Sequence, residues 1–329
     1  MLILKRLGAM AAIVFALTAV MFILQKISPV DPVHAMLGGN ASKQAIAEQR
    51  HRLGLDKPIM TQFWHYLGGL LHGDFGTSYR TRRPVGDDLG TFGPATAELA
   101  FFGLLFALAL AALLAFGTTL KWPGAGVLRV VLLAGASTPA FLLAIGSIII
   151  FFQHLGWLPG TGRSSFTDAP TGPTGLLTVD GLLHGRIDVS LDALKHLILP
   201  AFAVSIGPAV SIGRVLRSSL VGELDGDYAR TARAKGLTEG NVLKRHVLRN
   251  AVGPALSMTG LQVGLMFAGV LVIEQVFSWP GIGQYTAQSI PVADFPAIAG
   301  VTLLLGAGYV VINTIVDILQ ALADPRINA

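Results

Sequence analysis

Six runs of mostly apolar residues punctuate the chain, at about 7–27, 97–120, 128–152, 197–216, 255–277 and 297–323. Each is close to the roughly 20 residues an α-helix needs to cross about 30 Å of hydrocarbon. The pattern predicts an all-α membrane protein with six transmembrane helices. Pro139, Pro200 and Pro208 fall inside these runs, where neighbouring helices satisfy the carbonyls that proline frees. Gly103, Gly135, Gly264 and Gly306 allow close helix approach. The 28–96 stretch is too polar to span, but Ala41–Leu53 and Pro58–Leu71 alternate at helical spacing and Gly73-Asp74-Phe75-Gly76 reads as a turn. It predicts a small ordered cap. The 156–175 stretch, dense in Gly, Pro, Ser and Thr, reads as loop.

Composition strengthens the membrane reading. Of 329 residues 52% are apolar and only 13% charged, and the mean hydropathy is +0.63; a soluble domain carries about a quarter charged residues. The net charge of +5 raises the question of nucleic acid, but no basic run is interleaved with stacking aromatics, so no nucleic-acid partner is expected. Topology accounts for the basic excess. With the N-terminus inside, the cytoplasmic segments hold thirteen Lys and Arg in about 70 residues, against ten in about 130 outside. Both termini are therefore expected in the cytoplasm. The division is 1–27 as N-terminus and first helix, 28–96 as extracytoplasmic cap, 97–323 as a core with a cytoplasmic loop at 217–254, and 324–329 as cytoplasmic tail. The first run follows Lys5 and Arg6 like a secretory signal but lacks a small-x-small cleavage site, so it reads as a retained anchor.

The cytoplasmic loop holds the most specific pattern. Asp225 or Asp227 is placed to cap a short helix over about 228–235, and Gly236 to end it in the left-handed conformation. Ala229, Ala232 and Gly236 recur at three- and four-residue spacing, a stripe suited to close approach of a partner surface, flanked by Arg230 and Arg233 as cations for acidic groups there. Thr238 is placed to cap a second helix carrying Val242, Leu243 and Val247, which Gly253-Pro254 would close before the next span. The positive-inside rule alone explains the charges but not the stripe, the glycine stop and the second cap together.

The run Asp227-Tyr228-Ala229-Arg230-Thr231-Ala232-Arg233-Ala234-Lys235-Gly236 resembles the loop of ABC-transporter permeases of the dipeptide/oligopeptide/nickel class, as does His246-Val-Leu-Arg-Asn-Ala-Val-Gly-Pro254. Leu53-Gly-Leu-Asp-Lys-Pro58, His72-Gly-Asp-Phe-Gly-Thr-Ser78, Ile273–Gly283 and Asp324-Pro-Arg-Ile327 extend the likeness along nearly the whole chain. In the wider importer family the loop carries Glu-Ala-Ala and then a Gly; here Ala232 and Gly236 hold the last two places, while Arg230 and Thr231 replace the first two and Arg249 stands for a Pro, as in the peptide branch. The resemblance implies a type I importer permease fold in the bacterial inner membrane. It also implies that residues 227–236 form a coupling helix seated on an ATP-binding subunit. The implied partners are a second related permease, two ATP-binding subunits and an extracytoplasmic substrate-binding protein, with lipid around the spans. ATP and Mg would belong to the ATP-binding subunits, because this chain has no Gly-x-x-x-x-Gly-Lys-Ser/Thr loop.

Other polar positions are weaker signals. Glu274, followed by Phe277, Pro280, Gly281 and Gly283, reads either as a turn at the outer mouth of a pathway or as a buried carboxylate tied to a backbone turn. Asn313 and Asp317 share one helix face and read as a polar patch packed inside the bundle, and Ser137-Thr138-Pro139 reads either as pathway lining or as a kink. The eight histidines show no ligand spacing, so no metal site is expected, nor a catalytic one. The rival functions are an ion-coupled carrier, which needs midplane charges that are scarce here, and an importer of the same class for nickel or another small solute.

Overall fold

The computed structural model describes residues 2–38, 41–170 and 172–323. The 324–329 tail and its Asp324-Pro-Arg-Ile327 motif lie outside them. The described chain is helical, with no strand beyond one isolated bridge between Thr77 and Pro84. In chain order the helices are α1 (Leu2–Ile27), α2 (Pro32–Leu37), α3 (Lys43–Arg52), α4 (Ile59–Leu71), α5 (Val85–Thr119), α6 (Ala125–Ala136), α7 (Ala140–Ser147), α8 (Leu177–Leu183), α9 (Ile187–Leu224), α10 (Asp227–Ala234), α11 (Glu239–Val242), α12 (Leu248–Val276), α13 (Ile282–Ser289) and α14 (Phe295–Ala323). A wider π-helical turn extends α7 through Ile148–His154, and another, Leu243–Val247, joins α11 to α12.

Four of these helices are long and apolar enough to cross a membrane: Val85–Thr119, Ile187–Leu224, Glu239–Val276 and Phe295–Gln320. The run expected at 128–152 is two helices, Ala125–Ala136 and Ala140–His154, bent by 111° at Ser137-Thr138-Pro139. Pro139 starts the second helix and disfavours helical backbone at Thr138 before it, so the kink is a full break. In α1 the apolar stretch is Ala11–Ile27. The helices overrun the apolar runs because hydrophobicity marks the part lipid would touch, while polar turns extend beyond it. Val85 follows Pro84, and Asp87 and Asp88 favour the positive end of α5 twelve residues before the expected start. Pro200 and Pro208 sit within an unbroken α9, and Pro254 lies inside α12 rather than closing a helix ahead of it.

The chain divides into two compact units. The first comprises the chain up to Pro94 with Pro280–Val310. Here α3 and α4 occupy the places that helical spacing predicts in the cap, and Ser42 caps α3 by accepting from the Ala45 amide. Val85, Leu89, Ile282, Tyr285, Ala297 and Val301 form its core, with Phe92 stacked on Tyr285. Asp294 is fully buried, accepting from the Ser78 hydroxyl and the Arg80 amide, and so pins the 76–84 turn to the start of α14.

The second unit comprises Ala95–Trp279 with the chain from Val311. Its centre is α9, buried along most of its length and packed by α6, α7, α8 and α12. One core gathers Leu99, Leu197, Ala201, Met266, Ile273 and Trp279; a second gathers Leu216, Leu220, Val242, Val247, Ala229 and Ala232. Asn313 lies against Gly260, its Oδ1 3.2 Å from where a Cβ there would sit, so α12 and α14 pack through this polar side chain.

Candidate functional site

The 217–254 loop folds as an elbow. After α9 ends at Leu224, α10 begins at Asp227 with Gly226 at its cap position; neither Asp225 nor Asp227 caps it. Asp227 sits in the first turn, where its charge favours the helix dipole. The C-terminus closes as the sequence predicts. Gly236 has φ +79°, the Gly236 amide donates to Arg233 O at 2.9 Å and the Leu237 amide to Ala232 O at 3.3 Å. This paired arrangement needs a left-handed residue at the glycine position. Thr238 stands at the cap position of α11, without a side-chain bond to it.

The stripe points the other way from the expectation. Ala229 (0% exposed) and Ala232 (4%) are sealed within this chain's own core beside Leu220, Val242 and Val247, while Gly236 is exposed. Small side chains permit close approach, and the surface approached is α9 and the start of α12. Arg233 is also committed internally: its Nε donates to Glu239 Oε1 at 2.7 Å, Nη2 to Oε2 at 3.2 Å and Nη1 to the Leu224 carbonyl at 3.0 Å. The Glu239 bond holds its guanidinium above the ordinary arginine range. One side chain thus joins the end of α9, α10 and α11. Tyr228 donates to Glu223, and burial followed by that carboxylate raises its hydroxyl above the usual tyrosine range. Asp227, Arg230, Thr231, Ala234, Lys235 and Gly236 remain on the outer face, with Arg230 3.7 Å from Asp227.

Glu274 is fully buried and accepts from the Thr96 hydroxyl at 2.6 Å; Phe277 is 1% exposed. Both side chains are sealed within this chain, as in the buried-carboxylate alternative for Glu274. The end of α12 repeats the paired C-terminal closure: the Trp279 amide donates to Glu274 O at 2.8 Å and the Ser278 amide to Gln275 O at 3.3 Å. Here Ser278, at φ +50°, takes the left-handed position. The Trp279 indole donates to Ala95 O at 2.9 Å. Gly281 and Gly283 are buried and Pro280 is exposed at the entry to α13 in the first unit.

Two further features belong to the second unit, of which the sequence pointed only to Ser137 and Thr138 in the second. Glu98, nearly buried, accepts from the Thr178 amide (2.9 Å) and hydroxyl (2.6 Å) through one oxygen and from Arg163 (2.6 Å) through the other; Arg163 also lies over the Trp279 ring. This knot fastens the Gly- and Pro-rich loop to α5. The second is a cavity of about 560 Å³ at the α6–α7 break, lined by Ser137, Thr138, Ser211, Arg214, Gln262 and Met266. Gln262, polar in the middle of an apolar run, was the available signal.

By length and composition, four helices, or five if the bent pair is one span, can cross a membrane, and the braced elbow lies between two of them. Residues 99–329 match the family described as binding-protein-dependent transport system inner membrane component, and residues 1–100 match the N-terminal region of such membrane components. The chain belongs to this family, as a multi-pass inner-membrane permease of the dipeptide/oligopeptide ABC importer class, and the family does not support the ion-coupled carrier. Similar proteins include a probable D,D-dipeptide transport system permease of Escherichia coli K12, 39% identical over 98% of this chain and 96% of the relative. A di/tripeptide transport system permease of Pseudomonas aeruginosa is 40% identical, covering 98% and 97%. A glutathione transport system permease of Salmonella typhi is 35% identical, covering 99% and 98%.

Proposed function

We propose that this chain forms half of the translocation pathway of an ATP-driven importer of short peptides. The observation that carries the cargo is the near full-length similarity to permeases named for dipeptides, di/tripeptides and glutathione. In this reading a second related permease supplies the other half, two ATP-binding subunits hold ATP and Mg, and an extracytoplasmic binding protein delivers the peptide near the 28–96 cap. Both termini lie in the cytoplasm. The cavity beside Ser137, Thr138, Arg214 and Gln262 faces the pathway.

Coupling runs through α10. Its outer face, with Asp227, Arg230 and Lys235, seats in the ATP-binding subunit, and its inner face, Ala229 and Ala232, is packed on the helices that must move. Closure of the ATP-binding subunits then tilts α9 and α12 through a rigid elbow, switching the pathway between inward- and outward-facing states. The test is uptake of a labelled dipeptide by proteoliposomes holding the complete transporter. Accumulation that requires ATP and survives collapse of ion gradients is expected; uptake that follows an ion gradient without ATP would overturn the reading.

A further inference from the structure

A cavity of about 860 Å³ lies wholly within the first unit, walled by the end of α1, the 53–57 turn, α4 and the 72–76 turn. Its volume and mixed lining fit a small-molecule site, apolar surface with a few placed charges. Trp64, Tyr66 and Phe75 supply the apolar surface. At one end Lys26 donates to the Gln62 side-chain carbonyl, and Gln62 Nε2 donates to the Lys57 carbonyl at 2.7 Å. The Lys57 side chain folds back over Gly54 on the same wall. Neither lysine is within ion-pair distance of a carboxylate among the described residues, whereas Arg50 and Arg52 nearby pair with Asp31 and Glu48. At the other end Asp74 packs on Gly69; its Oδ1 accepts from the Gly76 amide, and no cation among the described residues pairs with it. In the orientation predicted by charge counting, Lys57 lies outside, where topology gives no reason for it, and Lys26 stands in the last turn of α1.

The spacing identifies the ligand. Gln62 and Gly69 are seven residues apart on α4, about 10 Å at 1.5 Å per residue. An extended peptide advances about 3.3–3.6 Å per residue, so a tripeptide spans roughly the same length. We infer that this cap cavity binds a short zwitterionic peptide, its carboxylate at Lys26 and Lys57, its ammonium at Asp74 and its side chains on the aromatic wall. The inference rests on the peptide reading above and adds a site outside the membrane-spanning core where cargo rests.

Trp64 provides the readout. The full-length chain in nanodiscs of neutral phosphatidylcholine is titrated with trialanine while tryptophan fluorescence is followed, with Trp64→Phe identifying the local signal. A saturable Trp64 response is expected, with affinity falling about tenfold or more when the peptide is C-terminally amidated or N-acetylated. Those arms leave the protein unaltered. Lys26→Gln with Lys57→Gln should reproduce the loss for free peptide and abolish the discrimination against the amide, and Asp74→Asn should do the same for the acetylated form. Equal binding of free and doubly blocked peptides would overturn the site, as would a response to phosphatidylglycerol in the nanodisc with none to peptide, which would mark a lipid headgroup site. ATP-driven uptake of trialanine by the complete transporter, measured in parallel, separates the two readings. Uptake with no Trp64 response sinks the cavity but keeps peptide import; a response without uptake keeps the cavity and sinks import.

Discussion

Ala229→Leu probes the elbow most directly. An eight-residue helix such as α10 is about 12 Å long and too short to hold its shape alone in water, so its position comes from packing. The methyls of Ala229 and Ala232 are buried, each contributing about 0.8 kcal/mol. A leucine adds three carbons at a site that is 0% exposed, and overpacking of that kind costs about 1–3 kcal/mol. The strain is of the same order as the roughly 1.6 kcal/mol the two methyls supply together, and the cheapest relief is for α10 to lift away from α9 and α12. A shift of about 1.4 kcal/mol towards the lifted state is tenfold in population. In proteoliposomes of the complete transporter, peptide uptake per ATP hydrolysed should fall by about that factor while assembly persists. The chain has no cysteine, so an Ala232→Cys reporter, slow to react with maleimide in the parent, should react quickly beside Ala229→Leu. Rapid labelling with a parental uptake-to-hydrolysis ratio would refute the idea that packing of α10 carries the coupling.

Other positions give independent checks. Ser278→Gly should stabilise the protein by up to about 1 kcal/mol, because a left-handed conformation costs an L-residue about 1–2 kcal/mol and glycine's greater unfolded freedom returns part of that; a lower melting temperature in detergent would contradict it. Glu98→Ala strips Arg163 and Thr178 of their shared carboxylate and should destabilise by roughly 3–5 kcal/mol, seen as early thermal unfolding and proteolysis in the 155–176 loop. Glu98→Gln, which keeps the acceptor for Thr178, should cost less.

Four of the spans, the helices α3 and α4, the irregular 156–170 stretch and the glycine stop of α10 were legible because each depends on local pattern: apolar run length, helical spacing, or the one residue suited to a positive φ. What the sequence misjudged depends on which surface a pattern meets. A stripe of Ala229 and Ala232 looks the same whether it faces a partner or its own bundle, and only the fold brings Val242 and Val247 over it. Arg233 was read as free for a partner because nothing local reveals that Glu239 and the Leu224 carbonyl return to it. Glu274 reads equally as a pathway or a buried carboxylate, and only the fold shows Thr96, far away in sequence, beside it. The π-helical turns at Ile148–His154 and Leu243–Val247 carry no Gly or Pro and leave no mark in the sequence.

The central claim is that the outer face of α10 seats in an ATP-binding subunit while its inner face belongs to the permease. Single cysteines test it by cross-linking in membranes that hold the complete transporter. Ala234→Cys, on the exposed face, should cross-link to the ATP-binding subunit, and Ala229→Cys, sealed in the core, should not. Failure of Ala234→Cys to cross-link, together with its labelling by a membrane-impermeant maleimide from the extracytoplasmic side of intact cells, would contradict the account.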